Sequence, residues 1–163
     1  DRRTSFLITI GHVPCFTSSV PLSSQMISDA IAKELQIPFE DADRLKIKEG
    51  LGSLAMQSPV SRAIEPILES IAGEIERTIE FYEGTLRYTS QIERIILCGG
   101  GSNLQGLVPY MTRRLGRPTE AGDPWAAMQL GGTLPVIPRE QSISYSTAIG
   151  LALKAQHIYE DIS

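Results

Sequence analysis

Apolar and polar positions follow two different periods along this chain. Thr4 to Ile10 is rich in β-branched and aromatic residues, Gly11-His12 is a turn signal, and Val13 to Val20 resumes the strand character, which predicts a β-hairpin. Pro14 and Pro21 cannot donate to a ladder, so the second strand is expected at an edge or limited to a few residues. The period then becomes helical. Ile27, Ala30, Ile31 and Leu35 recur three or four apart within Gln25 to Gln36, with Ser23 or Ser24 placed to cap the helix and Pro38 to end it. A second helix, Glu40 to Glu49, carries Ala42, Leu45 and Ile47 among charges and stops at Gly50-Leu51-Gly52. Ser53 to Ser58 is expected to be loop.

From Val60 onward, Ile64, Ile67, Ile71, Ile75, Ile79, Tyr82 and Leu86 form one face of a long amphipathic helix. Pro66 suits a first turn, so the regular helix either starts near Glu65 or is kinked there. Ile92 to Cys98 reads as a short strand running into Gly99-Gly100-Gly101-Ser102-Asn103, after which Leu104, Leu107, Val108, Met111 and Leu115 outline a helix closed by Gly116. Arg117 to Ala121 predicts another short strand and Asp123-Pro124-Trp125 a turn. Leu130 to Ser142, with two glycines and two prolines, reads as loop, and Tyr145 to Gln156 as a closing helix. The sequence shows no internal repeat. These elements predict a mixed α/β layered domain whose strand order the pattern leaves open.

Composition narrows the function classes. At 163 residues, 42% hydrophobic and 21% charged, the chain is the size of one globular domain. Its net charge of -4 leaves no basic face dense enough to neutralise a run of phosphates, so nucleic acid is not an expected partner. Cys15 and Cys98, 83 positions apart in apolar strand-like runs, are expected to be buried reduced thiols in a reducing compartment. The longest apolar run, Ile95 to Cys98, is far too short to span a bilayer, so any membrane association is expected to come through a partner. The chain opens Asp1-Arg2-Arg3-Thr4 and moves at once into an apolar run, as though cut from something longer.

The sharpest chemical signal is Ile95-Ile96-Leu97-Cys98-Gly99-Gly100-Gly101-Ser102. Three glycines between a strand and a helix let the backbone approach a ligand closely, which suits a nucleotide; a tight strand-to-helix turn is the alternative. The run is not a dinucleotide fingerprint, because Leu104 stands where the last glycine is needed, and no Gly-Lys-Ser or Gly-Lys-Thr makes it a P-loop. Asp43 and Lys46, three apart on one helix, share a face. They are placed to hold a ribose or base edge together, or else form a solvated ion pair. Thr4, after two arginines at the start of a strand, offers a hydroxyl for a phosphate. His12 and His157 have no partners at metal-ligand spacing and read as neutral surface histidines, and no nucleophile elbow occurs.

In order along the chain, these pieces resemble the C-terminal half of an actin-like ATPase of the PilM family of type IV pilus assembly proteins, relatives of FtsA. Arg3-Thr4-Ser5-Phe6-Leu7 is similar to the stretch just after the family's second phosphate loop, and Phe16 to Leu22 with Ile27-Ser28-Asp29-Ala30-Ile31 to its strand and adjoining helix. Ala42-Asp43-Arg44-Leu45-Lys46 is similar to its Ala-Glu-x-x-Lys motif, with Asp43 one methylene shorter than the family's glutamate. Glu74 to Tyr82 resembles the long-helix signature, Ile95 to Leu107 the adenosine motif, and Ala148 to Leu153 the closing helix.

The resemblance implies a second lobe with a mixed sheet and flanking helices, of the ribonuclease H-like type. Residues 1–35 and 90–163 would form the core subdomain and 36–89 an appended subdomain with the long helix. Carried over, Gly99, Gly100, Gly101 and Ser102 would lie against the adenosine and α-phosphate, Asp43 and Lys46 would flank the ribose and adenine, and Thr4 would border the phosphate loop. No catalytic residue and no metal ligand is carried over. The family's Asp-Ile-Gly and the first lobe are missing from the chain. ATP with Mg is therefore expected to be held by the full-length parent and weakly or not at all by these 163 residues, with no turnover by this chain alone. The implied role is a cytoplasmic scaffold at the inner face of the inner membrane, docked on the cytosolic tail of a PilN-like partner, without direct membrane insertion and with self-association left open. Alternatives are an FtsA-like division filament protein and a lobe of a sugar or acetate kinase.

Overall fold

The computed structural model describes residues 3–11, 13–52, 58–85, 91–126 and 137–160. Strands β1 (Thr4–Ile10) and β2 (Val13–Val20) form the antiparallel hairpin in the register Thr4↔Val20, Phe6↔Ser18, Ile8↔Phe16. The register shifts between Ile8 and Thr9, after which Thr9 faces Pro14. An irregularity there accommodates a proline that has no N–H to offer, and β2 continues for eight residues despite it. Alternation puts Phe6, Ile8 and Phe16 on the half-buried face, where the Phe16 ring lies 5.7 Å from Phe81 of the long helix.

Helix α1 (Ser24–Leu35) buries Ile27, Ser28 and Ile31. It ends at Gln36, a non-glycine residue at φ 53, whose N–H closes on Ala32 O. Helix α2 (Phe39–Glu49) buries Ala42 and is capped by the Gly50 N–H on Lys46 O. Helix α3 (Pro59–Thr85) carries Pro66 in its interior, so of the two expected outcomes the start near Glu65 is not the one taken. The reason is local: Ser58 Oγ accepts from the Ser61 N–H at 3.0 Å, and Pro59 takes the first helical position, where its missing N–H costs nothing. Its buried row runs Val60, Ile64, Leu68, Ala72, Ile75, Ile79, Tyr82, whereas Ile67 and Ile71 are only partly covered. The expected row drifts toward the edge of a stripe wider than one line of side chains. Leu86 lies outside the described residues.

Strand β3 is shorter than its apolar run, only Ile95–Leu97, and pairs in parallel with β4 (Thr119–Ala121). Between them come a 3₁₀ turn, Gly100–Asn103, and α4 (Leu107–Leu115). Part of the expected loop is helical: α5 (Arg139–Ser142), a 3₁₀ turn at Ile143–Tyr145, and then α6 (Ser146–Glu160). The Asp123 turn forms as expected, with Asp123 Oδ1 accepting from the Trp125 N–H at 3.0 Å. Ile27, Ile31, Ala42, Leu51, Ile64, Leu68, Leu107 and Met111 meet in one core of α1–α4.

Two ion-pair sets lock α3 onto α4 and onto the segment leading into β4. Arg114 binds Glu69 and Glu76, each at 2.7 Å, while Tyr110 Oη donates to Glu69 at 2.6 Å. Arg117 grips Glu83 with two nitrogens at 3.1 and 3.0 Å and bonds Ile92 O at 2.6 Å. The expectation of two buried thiols is corrected: Cys15 is half-buried and Cys98 exposed, both free. β3 ends at Leu97, and Cys98 steps out of the layer as the chain turns into the glycines. Partial desolvation still raises the Cys98 thiol pKa. His12 and the His157 side chain lie outside the described residues.

Candidate functional site

Two serines one turn apart on α1, Ser24 and Ser28, collect the candidate residues. Lys46 of α2 sends its ammonium to Ser24 Oγ at 3.1 Å, Ser28 Oγ at 2.8 Å and Asp43 Oδ1 at 2.6 Å, and more weakly to Ser24 O at 3.4 Å. Ser28 Oγ donates to the same Asp43 oxygen at 2.6 Å. Ser28 is fully buried, the Lys46 side chain is 13% exposed and that of Asp43 39%. The pair is therefore not a solvated surface bridge: the cation is held inside and the carboxylate reaches outward. The hydrogen bond from Lys46 and then that from Ser28 hold the Asp43 carboxyl below the usual aspartate range, against the opposing effect of burial.

The glycine turn comes to the other side of Ser24. A Cβ on Gly101 would sit 3.3 Å from Ser24 Cβ, and one on Gly100 would sit 3.3 Å from Ser144 Oγ. Gly99 adopts φ 89, which only glycine takes readily, and its N–H donates to Ile143 O at 3.1 Å. Ser102 turns its hydroxyl back to Gly99 O at 2.6 Å, bracing the turn. Gly100 and Gly101 are exposed and Gly99 half-buried. Thr4 Oγ1 donates to Leu22 O at 2.7 Å, pinning the start of β1 beside the entry to α1.

Lys46 and Gly101 thus meet at Ser24, with Asp43 joined through Lys46 and Ser28, while Thr4 and Ser102 serve local backbone contacts. Ser24, Ser28 and Ser144 were not among the expected site residues. Ser28 did carry a signal: a polar residue set between Ile27 and Ile31, on the apolar face of its own helix. An outward carboxylate can accept from a ligand hydroxyl, and glycine backbone lets a flat or anionic group approach without side chains in the way. This donor and acceptor set suits a nucleoside phosphate. Among the described residues no group of His, Cys, Asp or Glu is placed to hold a metal ion, and no helix is long and apolar enough to cross a membrane.

The architecture carrying this site is the actin-like α/β fold. It is similar, at a TM-score of 0.77 and 28% identity, to a chain of the PilM-PilN type IV pilus biogenesis complex, covering 94% of this chain and 43% of that one. It also matches the ethanolamine utilization protein EutJ from Carboxydothermus hydrogenoformans with a TM-score of 0.64 at 20% identity, over 93% of this chain and 45% of that one, a likeness of fold alone. Residues 2–156 match the family of type IV pilus assembly protein PilM, and the chain belongs to that family. The cell division proteins FtsA of Agrobacterium fabrum (strain C58 / ATCC 33970) and Rhizobium radiobacter are each 29% identical over 86% of this chain and 35% of their own length. The chain therefore spans about a third of the length of those curated relatives.

Proposed function

We propose that this chain supplies the adenosine side of an ATP site in a pilus-assembly scaffold. In this reading Asp43 and Lys46 flank the ribose and adenine, Gly99 to Ser102 face the adenosine and α-phosphate, and Thr4 borders the phosphate loop. Residues 1–35 and 90–163 act as the core subdomain and 36–89 as the appended one. The observation that supports it is the meeting at Ser24 of the α2 pair and the glycine turn, which are more than fifty positions apart in sequence.

Bound Mg-ATP would supply a phosphoryl group for transfer, or simply a ligand that holds the lobes together. Phosphoryl transfer requires the γ-phosphate and its metal to be positioned from several sides. The groups proposed here address the nucleoside end, so these 163 residues alone turn nothing over. A PilN-like cytosolic tail is the proposed partner. It places the protein in the cytoplasm at the inner face of the inner membrane.

The test is calorimetric titration of Mg-ATP into the full open reading frame carrying this chain, beside its Gly101→Val variant. Binding by the first and its loss in the second, with the circular dichroism spectrum preserved, is the expected result. Equal affinity in both would remove the glycine turn from the site. Retention of the protein on an immobilised PilN-like N-terminal peptide checks the partner, and no retention would discard it.

A further inference from the structure

Helix α2 is tied to the glycine segment at two places. One is Ser24, which accepts from Lys46 at 3.1 Å and packs closely against Gly101, where a Cβ would lie 3.3 Å from Ser24 Cβ. The other is backbone against backbone. Just past the α2 cap, the Leu51 N–H donates to Gln105 O at 2.9 Å. A Cβ on Gly50 would lie 2.6 Å from Gln105 O, 2.8 Å from its Cβ and 2.9 Å from its N. The fit is reciprocal, since a Cβ on Gly106 would lie 3.0 Å from Leu51 Cβ and 3.3 Å from Gly52 O. Both glycines have positive φ, +51 and +81, and Gly50 pairs its φ with ψ -133, where residues with side chains are strained. Gly50 and Leu51 are buried.

Short internal bonds close these ties into a ring. The Gly50 N–H reaches Lys46 O at 3.0 Å, and on the other side the Leu104 N–H reaches Gly101 O at 3.3 Å. We propose that the clasp of Gly50 and Leu51 against Gln105 and Gly106 is a positioning element of the nucleotide site, setting the gap between the Asp43–Lys46 pair and the glycine turn. The proposal rests on the ATP reading above. A nucleotide that touches both sides of the gap binds the clasped form and, by linkage, holds the clasp shut. Gly50 and Gly106 would then be needed for affinity although neither touches the ligand.

The test uses the full open reading frame carrying this chain. Gly50→Ala is expected to weaken Mg-ATP binding at least tenfold by calorimetry while the helical spectrum is kept. Gly84→Ala, at an α3 position with open space around it, is expected to bind as wild type does. A second measurement does not depend on the variant folding. In the wild-type protein, saturating Mg-ATP should slow hydrogen exchange at the Leu51 amide at least tenfold, and more than at the Ile95 amide, which bonds Pro118 O outside the ring. A clasp that served only stability would show the same exchange with and without nucleotide. Wild-type binding with an unaltered Gly50→Ala affinity, or with nucleotide-independent exchange at Leu51, overturns the clasp. Absence of wild-type binding overturns the ATP reading beneath it.

Discussion

Replacing Ser28 by alanine tests whether the polar cluster is held in a desolvated setting. Ser28 has no exposed surface, and its hydroxyl serves two charged groups, donating to Asp43 at 2.6 Å and accepting from Lys46 at 2.8 Å. Alanine fills nearly the same space, so the change removes hydrogen bonds without opening a cavity. Bonds to charged groups contribute about 1.5–3 kcal/mol each in mutational series. The Asp43 half must be discounted, because that carboxylate is 39% exposed and water can replace the donor. The Lys46 half stands more nearly whole, since the side chain is 13% exposed and keeps only Ser24 and Asp43 as partners in the cluster. The expected net loss is about 1.5–3 kcal/mol, a factor of roughly ten to a hundred in the folding equilibrium. For a chain of this size that is a fall in Tm of about 3–12 °C. Urea unfolding followed by circular dichroism at pH 7 would show a lower midpoint with an unchanged m-value. Ser70→Ala is the reference: that exposed serine bonds only Pro66 O of its own helix, and its removal should stay within about 0.5 kcal/mol of wild type. A Ser28→Ala midpoint no lower than that of Ser70→Ala would refute the reasoning and mean that the Lys46 ammonium is already well hydrated.

Other expectations can be checked with the same preparations. Asp43, Glu69 and Glu83 all have lowered carboxyl pKa values, through Lys46, through Tyr110 and then Arg114, and through the Ile92 N–H first and then Arg117. With folded values below unfolded ones, their stabilisation is complete above the ordinary carboxylate range. It is lost as pH falls through the folded values, so unfolding free energy measured from pH 7 down to pH 3 should decline most steeply below about pH 4. Gly100→Val, crowding Ser144 Oγ from a Cβ at 3.3 Å, should abolish ATP binding in calorimetry while the chain stays folded; unchanged affinity would separate Gly100 from the site. Arg114→Met should destabilise modestly by releasing Glu76 from α4 and leaving Glu69 held there by Tyr110 alone, and the difference from wild type should shrink in about 0.5 M salt. The 163-residue chain should show no Mg-dependent phosphate release in a turnover assay, and measurable release would overturn the assignment of only the adenosine side to it.

Much of the fold was legible because its signals are local. The hairpin, α1, α2, the glycine turn and α4 each announce themselves by period, cap or glycine within a short stretch of chain, and each stands within a few residues of its expected place. The departures come where distant groups decide. β3 and β4 shrink to three residues each because pairing needs both strands, and Arg117 reaches back to Ile92 O and Glu83 to hold the approach to β3 in an irregular form. The start of α3 is the exception, a local signal that Pro66 masks: Ser58 and Pro59 are an ordinary cap and first position, but a proline seven residues later competes for the same role.

The site divides along the same line. Asp43 and Lys46 could be paired from their spacing, and Gly99 to Gly101 picked out from composition, since both are facts of adjacent residues. That the two sets face each other across Ser24 is a fact of packing between α1, α2 and the segment after β3, and no window of sequence contains it. The same packing explains why three glycines stand together for three separate reasons. Gly99 needs its positive φ, Gly100 lies against Ser144, and Gly101 lies against Ser24. A side chain at the last position would push on the serine that holds Lys46, so a change in the turn would be felt at the ion pair. Positions on three separate segments therefore act on one gap. A substitution at any of them should alter ligand affinity and local stability together, whereas a substitution on the far side of α3, such as Gly84→Ala, should leave the affinity unchanged.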